Sequence, residues 1–329
     1  MTELAGCVDA PESGLYLPKP TGSHPVGATL VHLTDVSRRD PWAPEATSRE
    51  LMVSLWYPAQ PSGGPRAPYL TPTESELLLK HAGITGLPFD VLSTTRTNAV
   101  TDATPIECRH DLPLVVLSPS FTKPCATLTA LAEDLASHGY VVAGIEHTYE
   151  SVATTFPDGR VTTCRAREVR QRGHAFWERL TASRAADVSF VLDALTGTHP
   201  QSPGARLIDP SRIAMAGHSV GGASTIAAIV TDSRLRAGID IDGATHFPIS
   251  DAGLPRPFLF LGRKGQCSPG GSAAAATWER DWNHLTGWKR WLVVGAPSTP
   301  PSPTSRCWPS SAVSTLAPTC RPPVPERFG

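Results

Sequence analysis

Gly217-His218-Ser219-Val220-Gly221 spells G-x-S-x-G, a spacing that presents a serine hydroxyl on a sharp turn between a strand and a helix. The flanks fit that arrangement. Arg212–Ala216 reads as a buried strand, and Gly222–Val230 as a helix of small residues. The chemistry is nucleophilic attack on a carbonyl carbon. It needs a base to take the serine proton, an acid to orient the base, and N–H donors for the developing oxyanion. Ser219 is the expected nucleophile. The Val220 N–H, at the positive end of the helix dipole, is one expected oxyanion donor. The acid should follow the next strand, Ala237–Ile241, which runs into Asp242-Gly243. Asp242 is the expected acid; Asp240, on the opposite face of that strand, is the alternative. The second donor should lie in the loop after Leu114–Ser118. Pro119 has no N–H, so Phe121 is expected to supply it.

The elements that must hold these residues alternate along the chain. Ala28–Leu33, Glu50–Tyr57, Leu114–Ser118, Tyr140–Ile145, Arg212–Ala216, Ala237–Ile241, Pro257–Leu261 and Trp291–Val294 read as strands. Glu74–His81, Cys125–Ser137, Ala185–Leu195, Gly222–Val230 and Trp278–Gly287 read as helices. Pro- and Gly-rich sequence after Tyr57 makes 58–110 an insertion. The arginine-rich stretch 148–182 reads as an excursion over the sheet. Alternation of this kind predicts an α/β fold: one domain over 1–296, with a mostly parallel sheet of about eight strands and helices on both faces.

Composition narrows the function classes. Lys+Arg is 29 and Asp+Glu 30, for a net charge of −1 over 329 residues. No basic face for nucleic acid is present, and no apolar run reaches membrane-spanning length. Seven cysteines are scattered without a C-x-x-C. Neither a metal site nor a disulfide framework is expected, and no cofactor. The start, MTELAGCVDAPESG, lacks the basic and apolar regions of a leader. A cytoplasmic location is expected as written, and a secreted one if translation starts elsewhere.

With these residues in place, the chain resembles the platelet-activating-factor acetylhydrolase family (group VII phospholipase A2 type) and its actinobacterial lipase-like relatives. The resemblance runs from about Leu17 to Ala296. It rests on Pro25-Val26-Gly27, Trp56-Tyr57-Pro58, Pro113–Phe121, Val142–His147, Gly217–Gly222, Ile241–Gly243 and Phe247-Pro248. It implies an α/β-hydrolase fold and a metal-independent serine esterase that cleaves short or oxidised acyl esters through an acyl-enzyme. Small esters or phospholipids would be the substrates, with peripheral lipid contact. Ser219 and Asp242 match the family's nucleophile and acid. Ser120 departs from the glycine usual before the oxyanion donor.

The base departs further. The family's histidine lies just past the last strand, where this chain reads Pro297-Ser298-Thr299, and no histidine follows His284. From Pro297 to Gly329, nine of 33 residues are proline and ten are Ser or Thr. A shifted reading frame would account for this, with a genuine disordered extension as the alternative. Taking the third base of each codon with the first two of the next allows A-V-H-A-S-F-T-D-V-A-V-L-A from Ala296 onward. The Cys307/Trp308 pair forces the leucine, and Trp308/Pro309 the final alanine. That string matches the family's histidine loop, so residues 297–329 read as a frame-shifted, disordered tail. Within the present frame His246, four residues past Asp242, is the substitute base. His284 reads as a surface residue on a helix, and His147 and His218 as structural. Two rival functions remain: a cutinase-like or polyester lipase on the same fold, and a lipid- or ester-binding protein that has lost its base.

Overall fold

The computed structural model describes residues 14–107, 110–169, 172–197 and 202–295. The strands in chain order are β1 (Val26–Asp35), β2 (Arg49–Pro58), β3 (Val100–Thr101), β4 (Leu112–Ser118), β5 (Val141–Glu146), β6 (Thr154–Thr155), β7 (Val161–Thr162), β8 (Ile208–His218), β9 (Leu235–Ile241), β10 (Phe258–Arg263) and β11 (Lys289–Val294). The α-helices are α1 (Pro72–Ala82), α2 (Thr129–Ser137), α3 (His174–Thr196), α4 (Val220–Thr231) and α5 (Ala273–Trp282). One nine-stranded sheet runs β11-β10-β9-β8-β4-β5-β2-β1-β3, and β6-β7 form a separate hairpin. From β5 through β11 the sheet's neighbours are parallel. Only β2 runs against both its neighbours, β1 and β5. This is the mostly parallel α/β sheet that the alternation of apolar runs predicts, in the α/β-hydrolase arrangement that the resemblance implies.

The two faces are covered differently. On one, α2 sets Ala132 and Ala136 against Trp56, Val115, Leu117, Val142 and Ala216. On the other, Val188, Val191, Leu192 and Leu195 of α3 and Ile226 of α4 join Leu114, Val116, Ile213 and Met215. Phe258, Phe260 and Trp278 continue that core under α5. Burial on both faces is why these strands read as short continuous apolar runs.

Two helix expectations need correction. The helix expected over 278–287 lies earlier, at Ala273–Trp282, because Ser272 caps it: its Oγ accepts from the Ala274 and Ala275 N–H groups. His284 therefore follows the helix instead of sitting on it. The excursion expected over 148–182 ends early, since α3 begins at His174. Phe176, Leu180, Arg184 and Val188 are buried at four-residue spacing along it. Among the described residues no helix is long and apolar enough to cross a membrane. Residues 297–329 lie outside the described residues.

Candidate active site

Ser219 joins β8 to α4 with φ 55° and ψ −123°, a conformation L-residues adopt only when the surroundings impose it. Its N–H donates to the Ile241 carbonyl at 2.7 Å, and its carbonyl accepts from the Ala223 N–H at 2.9 Å. The neighbouring glycines make this approach feasible. A Cβ at Gly217 would sit 2.2 Å from the Gly221 carbonyl carbon, and one at Gly221 2.0 Å from the Ser118 carbonyl oxygen. At Gly222 it would meet Asp240 Oδ1 at 2.0 Å.

Strand register brings the other expected residues to the same edge of the sheet. His218 pairs with Ile241, so Ser219 and Asp242 leave adjacent strands side by side. Ser118 pairs with Gly217, which puts the loop after β4 on the other flank. Asp242 is buried and also has positive φ, 59°. Its Oδ1 accepts from the Arg263 N–H at 2.8 Å and from Cys267 Sγ at 3.2 Å; Oδ2 lies 3.2 Å from Arg263 Nε. Burial, then the bond to Asp242, pushes the Cys267 thiol up to about 12, so it stays a donor. Asp240 is buried beneath the turn, where its Oδ1 accepts from the Gly243 N–H at 2.9 Å. Burial pushes its carboxyl well above the ordinary range.

In the loop after β4, the Thr122 N–H goes to the Glu150 carbonyl at 2.9 Å and the Lys123 N–H to the Ser120 carbonyl at 3.1 Å. Among the described residues, neither the Phe121 nor the Val220 N–H donates a hydrogen bond. Phe121 and Val220 pack in one cluster with Trp42, Phe176, Trp177 and Leu180. The Phe121 ring meets Trp177 edge-on at 5.5 Å and Phe176 at 6.0 Å.

His246 joins this aromatic wall. It stacks on Trp177 at 5.7 Å and lies 6.1 Å from His174. Burial, followed by the fields of His174 and Arg280, lowers its pKa. Among the described residues no histidine hydrogen-bonds to Ser219 Oγ or to Asp242. Where β11 ends, the Val294 carbonyl accepts from the Lys264 N–H at 2.9 Å. The chain therefore leaves the sheet beside Arg263, the partner of Asp242. The expected histidine loop beyond it lies outside the described residues.

One buried cluster was anticipated by the sequence only at His147, as a structural residue. Beneath the β4 loop, Arg49 holds Asp187 through Nε (3.1 Å) and Nη2 (2.8 Å), and holds Asp40 through Nη1 (2.6 Å). Burial disfavours the charge on Asp187. Arg49 and the His147 hydrogen bond outweigh it and hold this carboxyl well below the usual range. His147 Nδ1 donates to Asp187 Oδ2 at 2.8 Å, because a carboxylate can only accept. Its Nε2 therefore accepts from Ser118 Oγ at 2.9 Å. Arg184 donates to Ser118 Oγ at 3.0 Å, to Glu150 Oε2 at 2.7 Å and to the Pro119 carbonyl. Ser118, His147 and Asp187 thus have the connectivity of a catalytic triad, yet each is at most 1% exposed. No substrate reaches Ser118. The chain of bonds instead clamps the loop that carries Phe121. Partners such as Arg49 and Asp187 lie 138 residues apart, so no local pattern announces them.

The platelet-activating factor acetylhydrolase, isoform II family model matches residues 10–189 and 204–264. A probable 1-alkyl-2-acetylglycerophosphocholine esterase of Arthroderma benhamiae is 26% identical over 86% of this chain and 75% of its own length. The platelet-activating factor acetylhydrolase of Cavia porcellus is 26% identical over 65% of this chain, which spans 55% of that relative's length. A solved ferulic acid esterase from Streptomyces cinnamoneus superposes with a TM-score of 0.75 at 43% identity, covering 86% of this chain and 77% of that one.

Proposed function

The chain belongs to the platelet-activating factor acetylhydrolase isoform II family, and from that premise we propose that it is a serine-dependent carboxylic ester hydrolase. Ser219 Oγ attacks the ester carbonyl while a base takes its proton. The tetrahedral oxyanion accepts from the Phe121 and Val220 N–H groups. Its collapse breaks the bond to the alcohol, which leaves with the proton from the base. Water then cleaves the acyl-enzyme by the same steps, releasing the acid and restoring Ser219. Asp242 orients the base. The observation that carries this reading is the strained Ser219 backbone between β8 and α4, with two N–H groups free on either side.

For the base, we infer a histidine encoded one frame away near codon 298, beyond β11; His246 is the in-frame substitute. Resequencing codons 285–329 from genomic DNA tests this. An insertion or deletion that restores H-A-S-F-T-D supports it, and an intact frame that recurs in relatives refutes it. Activity is read on p-nitrophenyl acetate with the chain as written, with the frame restored, and with Ser219→Ala and Asp242→Asn. A missing triad member leaves roughly 10³–10⁴-fold catalysis over water. The frame-restored chain should exceed that level by orders of magnitude. His246→Ala in the frame-restored chain should stay well above that level; a fall to it would make His246 the base.

A second reading concerns the acyl group. The wall beside the oxyanion donors is aromatic, built by Phe121, Trp177 and His246. A planar aromatic acyl ester fits it better than an acetyl group, in keeping with the ferulic acid esterase among the similar structures. A higher kcat/KM on methyl ferulate than on p-nitrophenyl acetate, lost in Trp177→Ala, supports this; equal loss on both esters counts against it.

A further inference from the structure

Two side chains that take no part in the chemistry above touch each other across it. Ser120 precedes one proposed oxyanion donor, Phe121, and His218 precedes the turn that carries the other, Val220. Ser120 Oγ lies 2.6 Å from His218 Nδ1 and 3.5 Å from the His218 carbonyl oxygen. Both residues are 9% exposed. His218 Nε2 is buried without a partner, so this hydrogen bond is the one polar contact the ring has among the described residues. Arg184 holds the Pro119 carbonyl just before it, and the Lys123 N–H holds the Ser120 carbonyl just after. The loop is thereby fixed to the protein body at one residue and to the nucleophile turn at the next.

We propose that Ser120 and His218 are a pair of positioning residues that set the separation of the two oxyanion donors by tying the end of β4 to the end of β8. A glycine at 120 would leave both ring nitrogens of His218 unsatisfied; the serine hydroxyl is what this histidine requires. The inference rests on the oxyanion-hole reading above, and its test has an arm that needs no catalysis.

The variants are Ser120→Ala, His218→Phe and the double. Removing one partner strands a buried polar group, whereas removing both is close to neutral for folding. Each single variant should therefore lower Tm, and the double should recover most of it. Hole geometry should not recover. In all three, kcat on p-nitrophenyl acetate should fall about tenfold or more with KM little changed, since small displacements of oriented groups cost large factors in rate. The preference for the oxygen ester over its thionoester analogue should shrink alike in all three. Hydrogen exchange of the peptide spanning 119–123 should speed up in all three without change in the interior of α4. Recovery of kcat together with Tm in the double, or multiplication of the single effects, would make the pair mere packing and overturn the proposal. Unchanged exchange at 119–123 overturns it as well. Were Ser219→Ala to hydrolyse esters as fast as the parent chain, the functional reading would fall, and the exchange arm would still decide the coupling.

Discussion

The turn at Ser219 was legible because its requirements are local: glycines within three residues, a strand before and a helix after. The structure gives the steric reason, since Gly217, Gly221 and Gly222 each face atoms closer than any Cβ tolerates. Gly222→Ala is expected to displace Asp240, lowering Tm by several degrees and esterase activity with it; a thermal melt and a p-nitrophenyl acetate assay check both. The cluster of Arg49, Asp187, His147 and Arg184 was illegible because its members meet only after folding. His147 read as structural, but its partners could not be named. Asp187→Asn removes a carboxylate on which a fully buried Arg49 depends. The expected loss is about 3–5 kcal/mol in denaturant unfolding, the usual penalty for leaving a buried charge unpaired. A loss below about 1 kcal/mol would mean that the cluster is hydrated.

At the scale of elements, period and run length located all eight main strands. Helices fared worse where sequence hides their buried stripe. The first turns of α3 carry His174, Glu178 and Arg179 beside Phe176 and Leu180, so charge masks the spacing. The four alanines that open α5 carry little apolar signal, and a Ser272 cap decides where it starts. The end of β5 adds a pH-dependent term. Burial pushes the Glu146 carboxyl from its ordinary 4.5 up to about 8. The folded state then holds a proton that the unfolded chain has lost between those values. Stability from this group is complete below pH 4.5 and declines as pH rises to about 8. Glu146→Gln should raise Tm relative to the parent chain at pH 9 and have little effect at pH 4.5. An equal shift at both would show that ionisation is not the cause.

The whole molecule was legible as a mostly parallel α/β fold from the alternation of strands and helices, and as an α/β-hydrolase from the motifs that carry the family resemblance. The far edge is where the sequence departs from that plan. On β11, Leu292 and Val294 are 49% and 47% exposed, in register with Leu261 and Arg263 of β10 on the same face. A helix following the restored H-A-S-F-T-D loop would cover this face, at about 25 cal/mol for each Å² of apolar surface buried. The frame-restored chain should therefore melt higher than the chain as written and bind less of a hydrophobic dye; no difference in either would remove the case for the lost helix. All of this rests on Ser219 as the reactive centre. Incubation with a fluorophosphonate, in which serine displaces fluoride at phosphorus, followed by intact-mass and peptide mapping, tests that claim most directly. One adduct per chain on the peptide containing Ser219, absent from Ser219→Ala, is the expected result. An adduct on another residue, or equal labelling of Ser219→Ala, would contradict it.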